Sequence, residues 1–238
     1  MSDDDHDPAP VAARRGVARG DGSVARWGAL VALLVVVVGL LYGLGASRPL
    51  PAPRFDGDRL GPEPGQTVAD YEAVAAASLR AAPAGERRWA LVSPVTEWTT
   101  DQTWAELGRV RVGRLLMRVP INGVQTPIVS VATGQSAAAL EAANAVAATQ
   151  VPDLVAPDAR GSAIARVSAA RFRAGTASVV GAVVWGTGSD LRSIAAAASV
   201  RTVQVVPDGG GRMAVAPLLP EFTTRVEPGA DTGVVPAP

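Results

Sequence analysis

Ser178-Val-Val-Gly-Ala-Val-Val-Trp185-Gly-Thr-Gly-Ser-Asp190-Leu-Arg-Ser-Ile-Ala-Ala-Ala-Ala-Ser-Val200-Arg-Thr-Val-Gln-Val-Val206 holds a strand, a turn, a helix and a second strand in one run. The valines of 178–185 form a short β-branched block, which favours a strand. Gly186 to Asp190 supplies a turn and a helix cap, and Leu191 to Ala198 continues as a short helix. Val200 to Val206 returns to a strand. A helix that links two strands of one sheet must cover a face of that sheet. Asp208-Gly-Gly-Gly211 predicts a further turn, with Met213 to Leu218 pairing back on the strand before it.

The same order occurs earlier. Trp89 to Val95 is a short apolar strand, and Thr99 or Thr100 caps a short helix containing Trp104 and Leu107. From Arg109 to Pro120 the residues alternate, with Arg114, Leu116 and Arg118 on one side and Leu115, Met117 and Val119 on the other. Asn122-Gly123 is the favoured pair for a tight hairpin turn, and Pro127 to Val131 is the returning strand. Ser136 caps an alanine-rich helix reaching about Thr149, anchored by Leu140 and Val146. Upstream, Thr67 and Asp70 open a helix through Val68, Tyr71, Val74 and Leu79 that Pro83 stops. Ile164 to Arg173 is open to either assignment and is read as a strand, hairpinned through Gly175. The expectation is an α+β domain of split β-α-β, ferredoxin-like units, arranged as a pseudo-repeat.

Ahead of this domain, Trp27 to Ser47 runs without one charged side chain between Arg26 and Arg48. As a helix it is roughly 32 Å long, enough to cross a bilayer's hydrocarbon core. Leu34 and Val38 lie in its middle, and the rings of Trp27 and Tyr42 suit the headgroup layer near its ends. A cleaved signal peptide fits less well, because the apolar run is long and Leu44-Gly45-Ala46 is a poor cleavage site. Four arginines precede the run within the first 26 residues, and Arg48, Arg54 and Arg59 follow it. The small amino side and large carboxyl side favour a cytoplasmic N-terminus and an extracytoplasmic domain in the cell membrane. Gly39 and Gly43 have the spacing of a weak self-association face.

The remaining boundaries follow from composition. Residues 1–26 carry Asp3, Asp4, Asp5, Asp7 and almost no large apolar side chain, the pattern of a disordered cytoplasmic tail. Residues 48–65 hold five prolines and read as a linker. The domain is placed at 66–222, and Thr223 to Pro238 reads as a disordered C-terminal tail.

Composition excludes several chemistries. The chain has no cysteine and no lysine, and its one histidine, His6, lies in the amino tail. Histidine triads, thiolate sites, lipoprotein acylation and Ser-Lys catalysis therefore cannot operate in the domain. Residues 66–222 contain 14 arginines and 12 acids, too small an excess for a nucleic-acid footprint. Gly186-Thr-Gly-Ser-Asp190 resembles half of a phosphate loop, but it lacks both the third glycine of a dinucleotide fingerprint and the Gly-Lys of a P-loop. It is read as a structural turn, and no cofactor is expected. Glu97, Asp101 and Glu106 offer carboxylates for acid–base work, while Trp98 and Trp104 beside Glu97 and Asp101 outline a speculative ligand groove. Arginines 109, 111, 114 and 118 read as the guard of a strand edge, with contact to anionic lipid headgroups or an acidic envelope polymer as the functional version.

The Arg-flanked span from Trp27, the proline linker, and Gly181-Ala-Val-Val-Trp-Gly186 followed by Ser199-Val-Arg-Thr-Val203 together carry a resemblance. The layout resembles the uncharacterised single-pass membrane proteins of the actinobacterial cell envelope. That resemblance implies location and no activity. The expectation is thus a membrane-anchored, non-enzymatic domain that contacts the lipid bilayer and binds an envelope protein. Two alternatives stand beside it: a regulator or sensor signalling to the cytoplasmic tail, and a carboxylate-dependent envelope hydrolase.

Overall fold

Valines fill the centre of the domain because its main sheet is covered on both faces, so strand positions that would otherwise alternate with polar residues are apolar too. The computed structural model describes residues 32–35, 58–206 and 213–238. The elements in order are β1 (Asp58–Leu60), α1 (Val68–Ala81), β2 (Arg87–Pro94), α2 (Thr100–Leu107), β3 (Arg111–Arg118), β4 (Val129–Ala132) and α3 (Ala137–Gln150). A 3-10 turn (Val151–Leu154) leads to α4 (Ala159–Arg173), β5 (Ser178–Thr187), α5 (Gly188–Ala195), β6 (Val200–Val205) and β7 (Met213–Val215).

The fold is α+β. Five strands form an antiparallel sheet in the order β4-β3-β5-β2-β6. Strands β2 and β3 run the same way with β5 between them, and β5 and β6 run the same way with β2 between them. Each β-α-β unit therefore inserts its first strand into the other. The start of each of the helices α1 to α5 is fixed by one side chain. Thr67, Thr99, Ser136, Asp158 and Thr187 each accept a hydrogen bond from the backbone N–H three residues on. Such a cap is worth about 0.5–2 kcal/mol.

One face of the sheet packs under the helices. Ala90, Val92, Leu115, Met117, Ala182, Val184, Val203 and Val205 meet Leu107, Leu140, Phe172 and Leu191 there. The other face buries Leu91, Leu116, Val180 and Val183 against Leu60 and Val206, with Met213 and Val215 alongside. Leu116, grouped by its alternation with two arginines, is thus 2% exposed. Register shifts between Val112 and Arg114 and between Leu116 and Met117 change which parity faces the helices.

Several expected boundaries move. Residues 164–173 form the helix α4 rather than a strand. Ile164, Val167, Ser168 and Phe172 fall on one buried helical stripe, and Asp158 caps it. β7 does not pair back on β6; it runs parallel to β1, and both lie over the second core. The segment 48–65 is not linker to its end, since β1 and Gly61 belong to the domain. Gly61 has φ +109°, and a Cβ there would lie 1.6 Å from the carbonyl oxygen of Ala216. The 223–238 tail is also held rather than loose. Val226 is 9% exposed, and it is paired by Gly65 N–H to its oxygen (2.9 Å) and by its own N–H to the oxygen of Gln66 (3.0 Å).

Helix α1 lies along β6, the outer strand of the sheet. The Val205 N–H donates to Ser78 Oγ at 2.9 Å, which satisfies an edge amide with a helix side chain. Gln204 Oε1 accepts from Gly61 N–H (2.6 Å) and from the Tyr71 hydroxyl (3.2 Å), joining three elements. Burial pushes the Tyr71 phenol up to about 12, with the Thr202 hydroxyl pulling the other way.

Residues 32–35, which include Leu34, form one exposed helical turn. Trp27, Val38, Tyr42, Gly39, Gly43 and the 1–26 tail lie outside the described residues. Among the described residues, no helix is long and apolar enough to cross a membrane.

Candidate functional site

The residues singled out from sequence part company in three dimensions. Trp98 is 4% exposed and belongs to the core under the helices. Its N–H and carbonyl both pair with Val179, at 3.0 and 2.8 Å, as a one-residue extension of the sheet. Trp104 is half-buried and packs over Gly108, where a Cβ would meet its ring at 3.1 Å. Asp101 is exposed in the first turn of α2, where a carboxylate complements the helix dipole. Glu97 points elsewhere, into an ion-pair network. Core burial of Trp98 removes the wall that the expected groove needed.

The network centres on Arg118, the last residue of β3. Its Nε and Nη2 both donate to Glu97 Oε1, at 2.8 and 2.6 Å. Its Nη1 and Nη2 donate to Glu221 Oε1 and Oε2, at 2.5 and 2.8 Å. The Arg118 and Glu97 side chains are 17% and 20% exposed, and Glu221 is 46% exposed. Burial opposes the guanidinium charge, and the hydrogen bonds of Glu221 and Glu97 overcome that effect, so the pKa of Arg118 is pushed up. Two carboxylates on one guanidinium leave the cluster one negative charge in excess.

Arg118 forms part of a cleft of about 620 Å³ between the β3–β4 connection and the C-terminal segment. Its apolar wall comes from Ile121, Ile128, Leu219 and Phe222, and its polar side from Arg118, Glu221 and Thr126. The connection is shaped as the Asn122-Gly123 pair predicts. Val124 N–H closes on the oxygen of Ile121 at 3.0 Å, and Gly123 takes φ +67°. The C-terminal segment closes the far side. Gly233 N–H donates to the Gly123 oxygen (2.6 Å), Gln125 N–H donates to Asp231 Oδ1 (2.9 Å), and Arg160 Nη2 donates to the same oxygen (2.6 Å). The Arg160 guanidinium, then the Gln125 N–H, hold Asp231 below the usual carboxylate range.

The other sequence candidates resolve into structural roles. The Gly186–Asp190 turn spends its own amides: Gly188 N–H donates to the Glu86 oxygen (3.1 Å) and Ser189 N–H to the Ala84 oxygen (3.0 Å). Asp190 N–H goes to Thr187 Oγ1 at 3.2 Å, so the turn is a cap and a docking point rather than a phosphate cradle. Of the arginines read as the guard of an edge, Arg109 precedes β3, and β4 pairs outside β3 from Arg114 to Met117, so Arg114 lies on no edge. Glu97, read as a possible acid or base, is tied to Arg118, while Asp101 and Glu106 sit on α2. Among the described residues, no group of three or more acidic or histidine side chains is placed to hold a metal ion.

No protein-family model matches the chain, and neither a curated protein nor a solved structure is significantly similar to it. Sequence reading missed Glu221 and Phe222, which lie 103 and 104 residues from Arg118 along the chain. No local pattern marks them. The one available signal was the apolar-acidic cluster Leu218 to Phe222 at the edge of a segment otherwise rich in Gly and Pro.

Proposed function

We propose that this chain is a single-pass membrane-anchored envelope protein whose α+β domain binds a protein partner and performs no catalysis. The observation that carries the reading is the Arg118 cleft. An apolar wall of Ile121, Ile128, Leu219 and Phe222 beside a half-exposed carboxylate, Glu221, suits an apolar peptide side chain flanked by a basic one. Of the acids weighed for hydrolysis, Glu97 is spent on Arg118, which favours binding over acid–base work. The interlocked order β3-β5-β2-β6, with one helix in each β-α-β unit, supports a ferredoxin-like core built as a pseudo-repeat of split β-α-β units. The uncharged run from Trp27 to Ser47 supplies the anchor, with the amino tail in the cytoplasm and the domain outside.

A photo-crosslinking residue in place of Phe222 in the full chain, in native membranes, tests the cleft. It is expected to capture one defined protein, and Ile128→Asp is expected to abolish the capture. Equal capture of that protein from Glu141, on the exposed side of α3, overturns the assignment. Alkaline extraction tests the anchor: the chain should stay with membranes, and deletion of 27–47 should release it.

A further inference from the structure

The other end of β3 carries a second, independent arrangement. Trp89 of β2, Trp185 of β5 and Arg111 of β3 are direct neighbours across three adjacent strands. The two indoles are 5.2 Å apart at their centroids and tilted by 51°, and Arg111 Cζ is 5.9 Å from the Trp89 ring. These are the distances of an aromatic pair topped by a cation–π contact. Gly113 makes room for the pair, since a Cβ there would lie 2.7 Å from the Trp89 ring.

Beside this platform is a cleft of about 240 Å³ lined by Arg87, Arg109, Arg111, Gln135, Trp185 and Asp190. Three arginines and one aspartate thus line it, and Arg109 Nη1 also donates to Ser193 Oγ at 3.4 Å. That carboxylate is already engaged: Asp190 Oδ2 accepts from Thr187 Oγ1 (2.6 Å) and from Thr187 N–H (3.0 Å). Those bonds, aided by Arg87 and Arg109, hold its pKa down and keep it ionised. The cleft therefore carries two positive charges in excess. The adjoining helix amides are spent on Ala84, Glu86 and Thr187, so the side chains alone must meet a ligand.

We propose that this cleft binds a phosphate monoester. Such a group bears about −1.5 to −2 charge near neutral pH, which balances the excess where a single carboxylate would leave one guanidinium unmatched. Guanidinium forks match phosphate oxygens in pairs. The indole of Trp185 offers a flat apolar wall to whatever carries the phosphate. The shared chemistry admits two sources, a soluble phosphate ester and the headgroup of phosphatidic acid.

Calorimetric titration of the full chain in neutral detergent decides the matter, with glycerol phosphate, glycerate, short-chain phosphatidic acid and short-chain phosphatidylcholine as probes. Glycerol phosphate is expected to bind at one site and at least about tenfold more tightly than glycerate, with an affinity that falls as salt rises. The double variant Arg87→Gln, Arg109→Gln is expected to lose that binding while keeping the parent's thermal unfolding. Arg114→Gln, an exposed residue of the same strand outside the cleft, is expected to change nothing. Tighter binding of phosphatidic acid than of glycerol phosphate, with phosphatidylcholine inert, assigns the lipid source; equal binding assigns the soluble ester. Glycerate binding as tightly as glycerol phosphate, no binding of either phosphate probe at millimolar concentration, or full binding by the double variant overturns the proposal.

Discussion

Replacing Arg118 by Met keeps most of the aliphatic stem and deletes the guanidinium with its charge and hydrogen bonds, which tests the role of the network. Four charge-assisted hydrogen bonds disappear, two to Glu97 and two to Glu221. Their losses are unequal. Glu221 is 46% exposed and regains water, so its share is no more than about 1 kcal/mol. Glu97 is 20% exposed and keeps a carboxylate that solvent reaches poorly. Removing one partner of a fully buried pair costs about 3–5 kcal/mol. Scaled for the partial exposure here, the total loss for Arg118→Met is roughly 2–3 kcal/mol. For a domain of this size that is a fall in melting temperature of about 5–10 °C. Chemical denaturation of the parent, Arg118→Met, Glu97→Gln and the double variant gives the coupling between the two residues. It is expected at about 1–2 kcal/mol, with the double variant more stable than Arg118→Met alone. A single variant within about 0.5 kcal/mol of the parent, or strictly additive effects, refutes the reasoning and makes the network ornamental.

Three further predictions concern other parts of the fold. In a Tyr42→Phe background Tyr71 is the one tyrosine left, and its phenolate absorbance should appear near pH 12. The sign follows from the raised folded value: this contribution to stability is complete below pH 10.0 and is lost as pH rises towards about 12, which base-induced unfolding curves should show. Ser78→Ala leaves the Val205 N–H of the outer strand without its acceptor, at a cost of about 1 kcal/mol and with faster hydrogen exchange at Val205. Asp231 has a depressed folded pKa, so its hold on the C-terminal segment is present above the ordinary carboxylate pKa and is lost as pH falls through the lower folded value. The protection of the Gln125 amide, which donates to Asp231, relative to its intrinsic exchange rate should therefore fall at acid pH, and Arg160→Gln should move that transition upward.

Local chemistry was legible where it is local. The caps at Thr67 and Ser136, a cap at Thr99 or Thr100, the turn and cap within Gly186–Asp190, the valine strand 178–185 and the Asn122-Gly123 turn are all written within a few residues of sequence. The 164–173 segment misleads because Ile, Val and Phe suit a strand, and only the Asp158 cap six residues upstream and the i, i+3, i+4 burial stripe reveal a helix. β1 is three residues long, and the prolines around it draw the eye away. The C-terminal segment shows no periodicity because its partners are Gly65, Gln66, Gly123 and Arg160, all far away in sequence. The same holds for the cleft: Arg118 is joined to Glu97 across 21 residues and to Glu221 across 103. Trp98 was legible as a large aromatic, and only the fold shows that it faces inward.

The parallel pairing of β1 with β7 has a mechanical side. β1 is where the described chain enters the domain, and its partner lies near the other end. Tension applied to the chain before residue 58 runs along β1, so the β1–β7 hydrogen bonds share the load in shear instead of opening one after another. Gly61 N–H, held by Gln204, and the Gly65–Val226 pair lie directly behind them as a second stop. Loaded in this direction, the β1–β7 bonds give way together and not one by one.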